Sequence, residues 1–95
     1  MKVDFTADAK IDLIDIAIYI AQGNRERALS FVDELESKCL KLGLTKGIGA
    51  PRPELGEGIR MLPHDRYLIF YREAEDALKI VRILHSARDR DNLVL

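Results

Sequence analysis

The chain has 95 residues, 47% hydrophobic and 33% charged, with a formal net charge of −1. A chain of this size and balance is one soluble globular domain spanning residues 1–95, not a disordered segment. Its near-neutral charge argues against direct nucleic-acid binding, which needs a basic excess for phosphate contacts.

The charges are spread evenly. Residues 1–45 hold six Lys/Arg and eight Asp/Glu, a balance of −2, and residues 46–95 hold nine and eight, a balance of +1. No apolar run approaches the roughly 18 residues of a membrane span, and no signal-peptide pattern opens the chain. The single cysteine, Cys39, has no partner for an internal disulfide and falls on an apolar helical face. It reads as a buried core residue in a reducing cytoplasm.

In chain order, Lys2-Val3-Asp4-Phe5 alternates as an edge strand does. Thr6 is suited to cap a helix that runs to about Gln22, with Asp8 in its first turn, before Gly23-Asn24. At 100° per residue Asp8, Asp12, Asp15, Tyr19 and Gln22 share one stripe, which reads as a solvated face. Most of the remaining helix is apolar, including Ile11, Ile14, Ile16, Ile18 and Ile20. That is wider than the roughly 100° needed to sit on one core, so the helix is expected to be covered from more than one side. Asn24 caps the second helix, on which Ala28, Val32, Leu35, Cys39 and Leu42 repeat on one face, widened by Leu29, Phe31 and Leu40. Gly43 ends it. A two-residue link makes the pair an antiparallel hairpin.

Residues 43–58 hold most of the glycines and two of the three prolines, and read as a plain loop. Three strand signals follow. Ile59-Arg60-Met61-Leu62 stops at a turn of Pro63-His64-Asp65, then comes Tyr67-Leu68-Ile69-Phe70-Tyr71, and after a polar turn at Glu73-Ala74-Glu75-Asp76 a last strand from Leu78 to Leu84. The expected architecture is α+β: an N-terminal strand, an antiparallel two-helix hairpin and a three-stranded antiparallel meander. Alternation puts Leu68, Phe70, Val81 and Ile83 against the helices. It leaves Tyr67, Tyr71, Arg82 and Arg60 on an open face, where Tyr and Arg are frequent binding anchors.

Motifs for standard chemistry are missing. The loop glycines lack phosphate-loop placement, and His64 and His85 have no Cys or second His at metal-ligand spacing. His64 reads as a solvated turn residue. Neither a metal nor a cofactor is expected.

The ordered segments do carry a resemblance. They are Asp12-Leu13-Ile14-Asp15-Ile16 with Tyr19-Ile20, Ala28-Leu29-Ser30-Phe31-Val32 with Leu35, and Pro51-Arg52-Pro53-Glu54-Leu55-Gly56. Gly58-Ile59-Arg60, the run Arg66 to Arg72, and the run Ile80 to Asp89 follow. Together this set resembles the RelE/ParE superfamily of bacterial toxins, most closely its ParE branch. The resemblance implies a cytoplasmic toxin of a type II toxin–antitoxin system, held in a hetero-oligomer by a ParD-like antitoxin, with DNA gyrase as target. The RelE branch instead cleaves messenger RNA on the ribosome, and a non-toxic, degenerate antitoxin-binding module is a further alternative.

RNA cleavage needs an acid or base and free cations around the phosphate. Arg60 and Arg88 match basic positions of the RelE set, but Tyr67 stands where that set has an arginine, and the tail after Arg88 has no tyrosine. The ParE reading, without catalysis, is therefore favoured. It assigns target binding to Arg60, Tyr67, Tyr71, Arg82, His85, Arg88 and the C-terminal segment. It assigns antitoxin binding to Ile11, Ile14, Ile18 and Phe31.

Overall fold

The computed structural model describes residues 1–45, 47–89 and 95. Strand β1 (Lys2–Phe5) leads into helix α1 (Ala7–Ala21) and helix α2 (Arg25–Leu42). Then come β2 (Ala50–Pro51), a 3-10 turn at Pro53–Leu55, β3 (Ile59–His64), β4 (Tyr67–Glu73) and β5 (Ala77–His85). The architecture is α+β, as the sequence predicts, but the sheet has five strands in the order β1-β5-β4-β3-β2. β1 runs parallel to β5, so the sheet is mixed, and the short β2 lies inside what reads as plain loop.

Both helix starts follow the sequence. The Thr6 hydroxyl accepts the Ala9 N–H at 3.1 Å, and the Asn24 side chain accepts that of Arg27 at 3.0 Å. Each satisfies an orphan donor of the first turn. The Thr6 hydroxyl also donates to the Val81 carbonyl at 2.8 Å, which pins the start of α1 to β5.

β3 runs through Pro63 instead of stopping there. Pro63 lies on the β2 side of β3, beyond Met61 where β2 stops, so its missing N–H breaks no ladder bond with β2. The tight turn follows at Asp65, whose φ of 56° is left-handed and tolerated by Asp.

Ile83 faces the helices as expected, but the faces of β4 are reversed from the sequence expectation. Tyr67, Ile69 and Tyr71 of β4 join Phe31, Leu35, Cys39 and Ile16 in the main core under the helices. Phe70 and Leu68 turn to the other face. That face is not open. Ile59, Phe70 and Leu84 form a second cluster there, with Leu55 and Leu95 against it. On β5 the helix-side residues are Leu78, Ile80 and Ile83, while Val81 joins the second cluster. A bulge explains the break in alternation: Phe70 pairs with Arg82 and Tyr71 with Ile80, which leaves Val81 as the extra residue.

Candidate functional site

The site is built where β5 outruns β1. β1 ends opposite Ile80, and the Thr6 N–H takes the Ile80 carbonyl at 3.0 Å. Beyond that point the outer edge of β5 would stand bare. Asp12, one and a half turns into α1, closes it: its Oδ2 accepts the Ile83 N–H at 2.9 Å. The same carboxylate receives Arg82 through Nε at 2.8 Å and Nη2 at 3.0 Å. Asp12 is only 7% exposed, so the solvated-stripe reading of this residue is wrong. A fork of this kind is geometrically specific and charge-assisted. The hydrogen bond to Asp12 raises the Arg82 pKa further above its ordinary value.

Beside this pair lies a cleft of about 290 Å³ lined by Asp15, Tyr67, Arg88 and Asp89 among others. The Arg88 guanidinium sits 3.7 Å from the centre of the Tyr19 ring and donates to the Tyr67 hydroxyl at 2.7 Å. Arg88 thus pairs with the two tyrosines, not with Asp89 or Asp65. Burial pushes the Tyr67 phenol up in pKa, and the charge of Arg88 pulls against it.

His85 forms the end of the site. Its ring meets Tyr67 edge-on at 5.2 Å, and its Nδ1 accepts the backbone N–H groups of Ala87 at 3.1 Å and Arg88 at 3.0 Å. The Asp89 carboxylate accepts the His85 N–H at 2.7 Å and closes the turn. Partial burial, then the charge of Arg88, holds His85 below its ordinary 6.5. It is therefore neutral near pH 7 with the proton on Nε2.

Four of the six expected target-binding residues thus come together: Tyr67, Arg82, His85 and Arg88. Arg60 and Tyr71 do not join them. The Tyr71 hydroxyl accepts the Gly49 N–H at 2.7 Å in a buried contact, and Arg60 donates to the Gly49 carbonyl at 2.7 Å. Both residues anchor the loop before β2. Their expected place on an open sheet face fails because that side of the sheet carries the helices and this loop. The C-terminal segment from Arg90 to Val94 lies outside the described residues.

Of the expected antitoxin contacts, Ile11, Ile14 and Ile18 stand on the outer face of α1, exposed by 54%, 59% and 57%. Phe31 does not: it is 3% exposed and packs between His64 and Tyr67. His64, expected in solvent, is half-buried against it, with Nε2 at 3.5 Å from Glu34. The sequence reading missed Asp12 as a site residue, and its only signal was an acid on the sheet-facing side of the acidic stripe.

Residues 3–90 match the family model described as the ParE toxin of the type II toxin–antitoxin system, parDE. The chain belongs to the ParE toxin family. A solved structure described as the chromosomal ParDE TA system from P. aeruginosa includes a chain of the same fold. That chain and this ParE-family member are 26% identical with a TM-score of 0.76, and the match covers 90% of this chain and 95% of the other. No curated protein matches the sequence. Among the described residues no helix is long and apolar enough to cross a membrane.

Proposed function

We propose that this ParE-family toxin acts in the cytoplasm by gripping DNA gyrase, without cutting RNA, and that a ParD-like antitoxin neutralises it in a hetero-oligomer. The observation that carries the reading is the engagement of Arg82. Its guanidinium forks onto Asp12, so its charge is already neutralised inside the fold. The two other arginines of the expected target-binding set are engaged as well, Arg60 on the Gly49 carbonyl and Arg88 on Tyr19 and Tyr67. A ribonuclease needs unspent cations aimed at the charge that develops on the phosphate. The neutral His85, with Nδ1 occupied by two backbone donors, is a structural part of the turn in this reading.

A protein grip asks only for a complementary surface. The exposed sides of Tyr19, His85 and Arg88 at the end of β5 supply one. Ile11, Ile14 and Ile18 supply another, with the spacing that an antitoxin segment laid along α1 would use.

The test uses purified toxin with gyrase, relaxed plasmid and ATP, beside toxin with a ribosome-bound message. Lost supercoiling with intact message supports the proposal. Codon-specific cleavage of the message with normal supercoiling overturns it.

A further inference from the structure

A second apolar surface lies on the β3 side of α2, between the C-terminal half of that helix and Leu62 of β3. A pocket of about 230 Å³ is lined there by Lys38, Lys41, Leu42, Thr45, Ile48 and Leu62. A shallower one of about 430 Å³ continues it along α2 and shares both lysines. Ile48 is 53% exposed and Leu44, four positions earlier, 84%. Exposed aliphatic groups clustered around a concavity mark an interaction surface more often than isolated ones do.

Two features select the occupant. The first is charge. Among the described residues, two lysines and no carboxylate line the apolar pocket. Of the two acids along the continuing groove, Glu34 is already taken by Arg27 and His64, and Asp33 lies at its N-terminal end, away from Lys41. The Ile11–Ile18 stripe differs, with Asp8 and Asp15 on one flank and Lys10 on the other. The two apolar surfaces therefore differ in charge balance, and the pocket at Leu42, Ile48 and Leu62 is the one bordered by lysines.

The second feature is the backbone. The Ile59 carbonyl accepts the Arg52 N–H at 2.8 Å, so β3 turns the main-chain groups of Ile59, Met61 and, by alternation, Pro63 toward its outer edge. β2 covers that edge only as far as Met61. The next position, Pro63, has no N–H to donate, which blocks an added strand. The occupant must dock through side chains, as an amphipathic helix does.

We propose that this groove docks an acidic amphipathic helix of a partner protein, with an aliphatic anchor against Leu42, Ile48 and Leu62 and carboxylates on Lys38 and Lys41. The probe is a fluorescent peptide of about four helical turns with Leu on one face and Glu on the other. Its control carries Gln in place of Glu. Anisotropy with the full chain should show the Glu peptide bound on the order of tenfold tighter than the Gln peptide. The double variant Lys38→Glu, Lys41→Glu should erase that preference, and Ile48→Asp should weaken both peptides. All three positions lie on the rim, and circular dichroism checks that the fold persists. Equal binding of the two peptides, or an unchanged preference in the double variant, overturns the proposal. Binding of phosphatidylserine vesicles or a DNA duplex through the same lysines, with no peptide binding, overturns it too and gives the surface to lipid or nucleic acid.

Discussion

Asp12 on the first helix and Arg82 on the last strand, 70 positions apart in sequence, form a two-pronged ion pair whose carboxylate also accepts the Ile83 N–H. One side chain thereby closes a sheet edge and neutralises a cation. Removing it exposes both needs at once.

Asp12→Ala leaves the Ile83 N–H without an acceptor and Arg82 without its partner. Breaking a buried pair costs about 3–5 kcal/mol. The Arg82 side chain is 26% exposed and can turn partly to water, so about 2–3 kcal/mol is expected here after discounting for screening. Asp12→Asn keeps a neutral acceptor for Ile83 and should cost about 1–2 kcal/mol. Urea denaturation ranks the two. Equal losses would mean that the ion pair, and not closure of the strand edge, carries the stability.

Tyr71 and Gly49 give a second stability test. Tyr71→Phe keeps the ring in the core but leaves the Gly49 N–H buried and unpaired, at about 1–3 kcal/mol. Gly49→Ala is expected to be worse tolerated, because an added Cβ would lie 2.5 Å from the Tyr71 hydroxyl and 3.0 Å from the Met61 carbonyl. Phe70→Ala empties the second cluster and should cost about 3–5 kcal/mol. A Phe70→Ala loss below 1 kcal/mol would show that the far face of the sheet is not a core.

Local chemistry made the helices legible. Thr6 and Asn24 cap as their side chains dictate, and the Ala28–Leu42 repeat is buried at Ala28, Leu35, Cys39 and Leu42. The sheet faces were not legible, because both sets of β4 side chains are apolar enough to be buried and both are. Alternation cannot choose between Tyr67-Ile69-Tyr71 and Leu68-Phe70. What decides is where each tyrosine hydroxyl finds a partner, and Gly49 and Arg88 lie 22 and 21 positions away. The bulge at Val81 shifts the end of β5 by one residue, so strict alternation also misplaces Val81. The pairing of Asp12 with Arg82 has no spacing signal at all, since it exists only once β5 has outrun β1.

The outer face of α1 gives a prediction about the antitoxin. Ile11→Glu with Ile18→Glu changes two side chains that are more than half exposed, so thermal stability should hold within about 1 kcal/mol. Binding of the antitoxin should fall by a factor of roughly 100, from lost apolar contact at two anchors. Calorimetry with the copurified partner measures it. Unchanged affinity would remove α1 from the interface.

Cys39 tests the core from its interior. Burial, with a smaller push from Glu36, raises its thiol from an ordinary 9.0 to about 12. The folded chain holds the proton more tightly than the unfolded one. Its contribution to stability is therefore complete below about pH 9 and is lost as the pH rises toward 12. At pH 8 the native thiol should resist iodoacetamide, and it should react once urea unfolds the chain. Fast labelling of the native protein would mean that α2 lifts from the sheet.

Arg88 ties the end of β5 to α1, and its loss should act on function more than on stability. Its stack on Tyr19 and its bond to the Tyr67 hydroxyl are worth about 1 kcal/mol at a partly exposed site. Arg88→Gln should lower the urea midpoint by no more than about 1 M. The same change removes a positive charge that helps hold the His85 pKa down, so the His85 midpoint should rise toward 6.5. Because the folded His85 pKa is depressed, its two bonds from Ala87 and Arg88 are intact at and above its ordinary pKa and are lost as the pH falls through the lower, folded value. Acid should therefore loosen the turn at residues 86–89 earlier in Arg88→Gln than in the parent, as seen by histidine NMR titration. If the end of β5 faces gyrase, Arg88→Glu should relieve supercoiling inhibition while the chain stays folded, whereas Arg82→Glu should relieve it only by unfolding the chain against Asp12. An Arg88→Glu protein that is folded and fully inhibitory would move the grip on gyrase away from this end of the sheet.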